Sequence, residues 1–263
     1  VPSALASGSR AERLERLLES GKPDRAWELC EKTALERELD GAEREHCARA
    51  VLANLLLAHP QGLDYELAAG HWRTWEGTEA ATETRALAAE RLLERAGQDG
   101  DKLAALVRTY EETPAAQPAL ERLWVLAQEQ GTAAAARGYQ ERFPGSPWVT
   151  EARRVELERA FEETQAAGTV EGWRRLRAAY PDHPRVEEAL THERERAFAD
   201  CVEAATAERW RALLEAYPDH PRLDEARDLE AEQAFAETEA EGTAAAWSAL
   251  ATSHPEHPRL DGI

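Results

Sequence analysis

Three residue types recur in this chain at spacings that could carry chemistry: histidine, glutamate and arginine. His183 and His220 stand at equivalent places in two copies of one pattern, each after an aspartate (Asp182, Asp219) and before a proline (Pro184, Pro221). His254 and His257 have the HxxH spacing of a metal-binding pair. Loops stacked along one edge could turn such histidines into a row of metal or anion sites. Pro255 and Pro258 keep the 254–257 span from forming the regular helical face that a zinc-protease motif needs. Asp and His beside proline also cap helices and close tight turns. We take that reading and expect no metal site.

Glu156, Glu193 and Glu230 share one register, and each falls inside the apolar stripe of a helical wheel. A buried carboxylate is costly unless paired. An Arg or a Tyr hydroxyl of the adjoining repeat is the expected partner. Paired carboxylates that do acid–base work need one shared cleft, and a carboxylate recurring once per unit argues against a unique active site. The sequence has no Gly-rich phosphate loop, GxSxG elbow, HExxH or EF-hand pattern. Catalysis within these residues, and any cofactor, are therefore not expected.

The arginines form a second series: Arg137, Arg174 and Arg211, then Ser248. On a wheel they lie opposite Trp173 and Leu176, which predicts an exposed ladder. Glu141 and Glu215 follow Arg137 and Arg211 by one helical turn and can satisfy them locally. Ala178 stands there for Arg174, so Arg174 is expected unpaired and ready for an acidic side chain or C-terminal carboxylate of a partner. Trp72 and Trp75, in GHWRTWEGT with His71 and Arg73, are either a binding aromatic patch or an irregular packing joint.

The elements that must position these residues follow from self-similarity. Trp173, Trp210 and Trp247 are each 37 residues apart. Phe143, Tyr180, Tyr217 and His254 keep that interval, each followed by proline, with a second proline three residues on (Pro147, Pro184, Pro221, Pro258). Thr132, Thr169, Thr206 and Thr243 hold the same register, as do Ala160-Phe161, Ala197-Phe198 and Ala234-Phe235. The repeats read 131–167, 168–204 and 205–241, with a partial copy at 242–263 and a degenerate one at 98–130. Each unit reads as two helices: a short one capped by the threonine and stopped by the first proline, then a longer one, as at 184–203. In the longer helix Val186, Ala189, Ala197 and Cys201 form the stripe, and Phe198 reaches to the side. Ser146, His183 and His220 are read as its caps. Residues 1–97 are less regular, with helical periodicity over 8–20, 23–38, 42–58, 62–76 and 78–96. About 14 helices and no strands are expected, in one continuous stack.

Composition agrees. Hydrophobic residues make up 43% and charged residues 32%, the balance of a globular chain. A net charge of −19 disfavours nucleic acid. No stretch approaches the roughly 18–20 apolar residues of a membrane helix, so no membrane insertion is expected. Met is absent and the chain opens at Val1, which predicts a processed product or a piece of something longer. Cys30 and Cys47 fall on consecutive helices at similar distances from the turn at Asp40-Gly41. They could form a disulfide in an oxidising compartment, or be two small core residues.

The run RFPGSPWVTEA at 142–152 resembles the Tyr-Pro-x-Ser-Pro-x-x-x-x-Ala join between helices in bacterial tetratricopeptide-like repeats. That resemblance covers 98–263 and touches 1–97 only in style. It implies a right-handed all-α solenoid of antiparallel helix pairs with a groove for a peptide or protein. The chain departs from the family in its 37-residue unit and in Trp and Ala-Phe standing where small residues are usual. The expectation is a non-enzymatic interaction scaffold, soluble and bacterial, cytoplasmic or periplasmic. Two alternatives stand beside it: a structural or assembly component of the cell envelope, and a regulatory repeat region of a larger enzyme. The incomplete last repeat predicts further chain or a partner covering it.

Overall fold

A computed structural model of the chain describes residues 10–36, 39, 41–58, 72 and 74–260. The described residues form thirteen α-helices and no strand. In order they are α1 (Arg10–Glu19), α2 (Pro23–Glu36), α3 (Gly41–Ala58), α4 (Glu79–Ala96), α5 (Gly100–Thr109), α6 (Ala116–Gln130) and α7 (Ala133–Arg142). Then follow α8 (Val149–Ala167), α9 (Val170–Ala179), α10 (Val186–Ala204), α11 (Ala207–Ala216), α12 (Leu223–Glu241) and α13 (Ala244–Ser253). The all-α expectation holds. The helix expected over 62–76 lies outside the described residues apart from Trp72 and 74–76, as do His71 and Arg73.

The helices fall into two compact units. One runs to Gly131 and takes in Ala135–Ala152; the other holds Thr132–Ala134 and continues from Arg153. In the first, Cys30 on α2 and Cys47 on α3 are buried and joined as a disulfide, their Cα atoms 5.3 Å apart. Glu45 of α3 accepts from the backbone N–H groups of Glu79 and Ala80, both at 2.8 Å, and so holds the start of α4. An anion there also complements the helix dipole.

In the second unit the 37-residue interval governs the helix ends. Each short helix from α9 opens behind a threonine whose hydroxyl accepts from the N–H three residues on: Thr169 from Gly172 at 3.1 Å, Thr206 from Arg209 at 3.4 Å, Thr243 from Ala246 at 3.1 Å. The helix before each threonine ends in a left-handed residue: Gly168 at φ +58°, Ala205 at φ +47°, Gly242 at φ +68°. Ala205 is the alanine of the set and bears a Cβ where the conformation favours none.

The joins between helices correct the expected caps. The second helices begin at Val186 and Leu223, after the residues read as caps. His183 and His220 instead close the turn before the helix: the Nδ1 of each accepts from the N–H of Arg185 or Arg222, both at 2.9 Å. Ser146 accepts likewise from Trp148 at 3.2 Å in the first unit. Their Nε2 atoms lie 3.0 and 3.2 Å from the carbonyls of Leu157 and Arg194 on the preceding long helix. The stretch between each histidine and its helix is a tight turn, closed by the N–H of Val186 on the His183 carbonyl at 3.0 Å and that of Leu223 on the His220 carbonyl at 3.1 Å.

Packing repeats as well. Phe161, Phe198 and Phe235 meet Trp173, Trp210 and Trp247 edge-on, with centroids 5.1, 5.0 and 5.4 Å apart. Trp173 and Trp210 are buried, and Trp247 is partly covered. Phe198, expected at the side of its stripe, lies in the core against Trp210.

Candidate functional site: a buried carboxylate joint and the trough beside it

Glu193 projects from α10 into the core, and its side chain is 3% exposed. Three donors reach it: Arg174 Nε at 3.0 Å and Arg177 Nη1 at 2.7 Å from α9, and the Tyr217 hydroxyl at 2.8 Å from the end of α11. Arg174 Nη2 also donates to the Tyr217 hydroxyl at 2.7 Å. Burial pushes the Glu193 pKa up, but the bonds from Arg177, Tyr217 and Arg174 outweigh it and hold the carboxyl below its ordinary value. Tyr217 is raised, first by burial and then by the carboxylate it donates to. Arg174 is raised by its bonds to Tyr217 and Glu193.

The other two carboxylates of the register are also paired, with different partners. Glu156 accepts from Arg153 Nη1 at 2.8 Å and from the Tyr180 hydroxyl at 2.9 Å. Glu230 accepts from Arg211 Nε at 2.7 Å, and His254 Nε2 lies 3.2 Å from its other oxygen. The expected Arg or Tyr partner is present, and in fact both types serve. The arginine belongs to the carboxylate's own repeat, and the tyrosine or histidine to the next.

This geometry corrects the arginine reading. Arg174 is not unpaired, because it holds Glu193 and Tyr217 together. Arg211 bonds Glu230 on α12 rather than Glu215 on its own helix. Both keep one side of the guanidinium in solvent, their side chains 51% and 59% exposed. Arg137 is exposed on α7, in the other unit. The wheel placed these residues on the surface correctly but could not see across to the next helix. Trp72 and Trp75 are buried, and Trp72 meets Tyr110 edge-on at 5.3 Å. His183, His220 and His257 are buried against Phe161, Phe198 and Phe235. No group of histidines, cysteines or acids among the described residues could hold a metal ion.

Beside the Glu193 joint a trough of about 670 Å³ opens between α9, α10 and α11. Val170, Ala197, Leu213 and Tyr217 give it apolar surface, and Asp200 and Arg209 are among its polar lining. A change in the repeat register falls at its lining. In the neighbouring repeats a glutamate of the long helix reaches back to the first N–H of the short one: Glu163 accepts from Ala133 at 2.8 Å, and Glu237 from Ala207 at 2.9 Å. Between them the equivalent residue is Asp200, one methylene shorter. It bonds Arg196 at 2.6 Å instead, and no bond links it to Val170. Arg209 carries no ion pair among the described residues. Sequence reasoning passed over Asp200 and Arg209. Comparing 163, 200 and 237 in register would have found the first.

No helix among the described residues is long and apolar enough to cross a membrane. Comparison with family models and with curated proteins finds no match to the chain.

Proposed function

We propose that the chain is a non-enzymatic interaction scaffold, a solenoid of tetratricopeptide-like helix pairs that receives a peptide or protein segment in the trough between α9, α10 and α11. The trough carries this reading. It is large enough for several side chains, has an apolar floor, and offers the unpaired Arg209 beside the half-exposed Arg174. An acidic or C-terminal carboxylate on the partner suits those two cations.

Two variants test it. Ala212 and Asp200 both line the trough. Ala212 is exposed, so Ala212→Arg fills the space without entering the core. Asp200→Glu supplies the carboxylate that the flanking repeats use, and so ties α10 back to α9. A partner captured by the unaltered chain and lost by both variants supports the scaffold. Equal capture by all three excludes this trough.

The disulfide favours a second reading, a structural component of the bacterial envelope working where disulfides persist. Concentration-dependent elongation in sedimentation would speak for that alternative, and a strict monomer for the adaptor.

A further inference from the structure

We propose that the seam between α12 and α13 is a proton-gated joint: protonated His254 pairs with Glu230 and seats α13 on α12, and loss of that proton loosens α13. In the two preceding seams Tyr180 and Tyr217 hold the same place, and each donates its hydroxyl to a glutamate. A tyrosine hydroxyl keeps its proton up to about pH 10, whereas an imidazole changes charge near neutrality. The 37-residue register thus puts a titrating side chain where its equivalents stay neutral donors.

Glu230 has a place for a second cation. Glu193 is served by two arginines, Arg174 at 3.0 Å and Arg177 at 2.7 Å. At Glu230 the counterpart of Arg174 is Arg211, at 2.7 Å, but the counterpart of Arg177 is Leu214. Arg227, one turn before Glu230, turns to Asp224 at 3.5 Å instead. His254 Nε2 is buried and stands outside any hydrogen bond, 3.2 Å from the Glu230 oxygen that Arg211 leaves open. A contact without hydrogen-bond alignment depends on charge, so it strengthens when the imidazole becomes a cation. Among the residues of α13 only Leu250 is buried, so one ion pair weighs heavily in how that helix docks.

The charged groups around the pair are Glu230 from α12, Arg211 from α11, and those of the turn after α13. In that turn His257 Nε2 lies 3.8 Å from Glu232, and Arg259 lies 3.0 Å from the same glutamate. The His257 side chain is 2% exposed and stacked on Phe235 at 4.9 Å, where a charge is costly. His254 is 18% exposed and takes its proton from water. The extra cation is present in mild acid and absent in base. α13 is therefore held more firmly below neutrality, down to about pH 4, where glutamates take up protons.

The test is hydrogen exchange of the full chain at about pH 5.5 and about pH 8, on either side of the histidine range, corrected for intrinsic exchange rates. The amides of α13 are expected to be about fivefold more protected at the lower pH, and those of α9 and α11 to be unchanged. His254→Tyr, the residue of the two preceding seams, and His254→Gln, neutral throughout, should each level the two conditions in α13. Equal or reversed protection in the unaltered chain would overturn the proposal. So would a difference that survives both substitutions in helical protein, which would move the proton to another group, His257 first.

Discussion

The Tyr217 hydroxyl donates to Glu193 at 2.8 Å, and the two residues belong to consecutive repeats, 24 positions apart. The carboxylate is buried at the seam, so the seam depends on that bond. Tyr217→Phe removes one donor from an ionised acceptor and should cost about 1–3 kcal/mol, read by denaturant unfolding with unchanged helicity. Tyr180→Phe should behave alike, because Tyr180 donates to Glu156 in the same way.

Glu193 also sets an acid limit. Its pKa is depressed in the fold. Its contribution is therefore complete above the unfolded-state value, about 4.3, and is lost as pH falls through the lower folded value. Melting temperature followed from pH 7 down to pH 3 should fall less steeply for Glu193→Gln than for the unaltered chain. The variant should be the less stable of the two at neutral pH. Parallel curves would show that Glu193 is not the group responsible.

Ala205 offers a gain. It holds φ +47° where Gly168 and Gly242 stand in the flanking repeats. A left-handed alanine costs roughly 1–2 kcal/mol, part of which glycine gives back as unfolded-state entropy. Ala205→Gly should raise stability by about 0.5–1 kcal/mol, measured as a shift in denaturant midpoint at constant slope.

The tryptophans should rank by their cover. Trp173→Ala and Trp210→Ala empty buried space and should cost about 3–5 kcal/mol each. Trp247 is only partly covered, and Trp247→Ala should cost less. Parallel unfolding curves of the three variants test the order.

The first unit is held covalently. Alkylation after denaturation without reductant should label Cys201 alone, and after reduction all three cysteines. Cys30→Ala with Cys47→Ala should cost about 3 kcal/mol for so short a loop.

Much of this was legible in the sequence, because a repeated pattern exposes what each position must do. The interval of Trp173, Trp210 and Trp247 predicted a recurring unit, and each of the three tryptophans meets the phenylalanine of the preceding long helix edge-on. The stripe predicted buried glutamates in need of partners. What failed was reach. Arg174 looked unpaired because a helical wheel sees only its own helix, whereas its partners sit on α10 and at the end of α11. The caps failed by a few residues because a tight turn, closed from His183 to Val186 and from His220 to Leu223, stands between each histidine and its helix. Asp200 in the trough escaped notice because what sets it apart is a deficit: one methylene fewer than Glu163 and Glu237.

The paired ownership of each buried glutamate has a consequence for how such a chain can change length. Each carboxylate is paired with arginine from its own block, and Glu156 and Glu193 also accept from a tyrosine hydroxyl of the block after. Excising or duplicating a whole 37-residue block restores both partners, whichever tyrosine arrives. A cut at any other phase leaves an ionised group in oil with part of its escort gone. Gain and loss of sequence in this region should therefore come in multiples of one block, with loop-sized insertions confined to the proline turns.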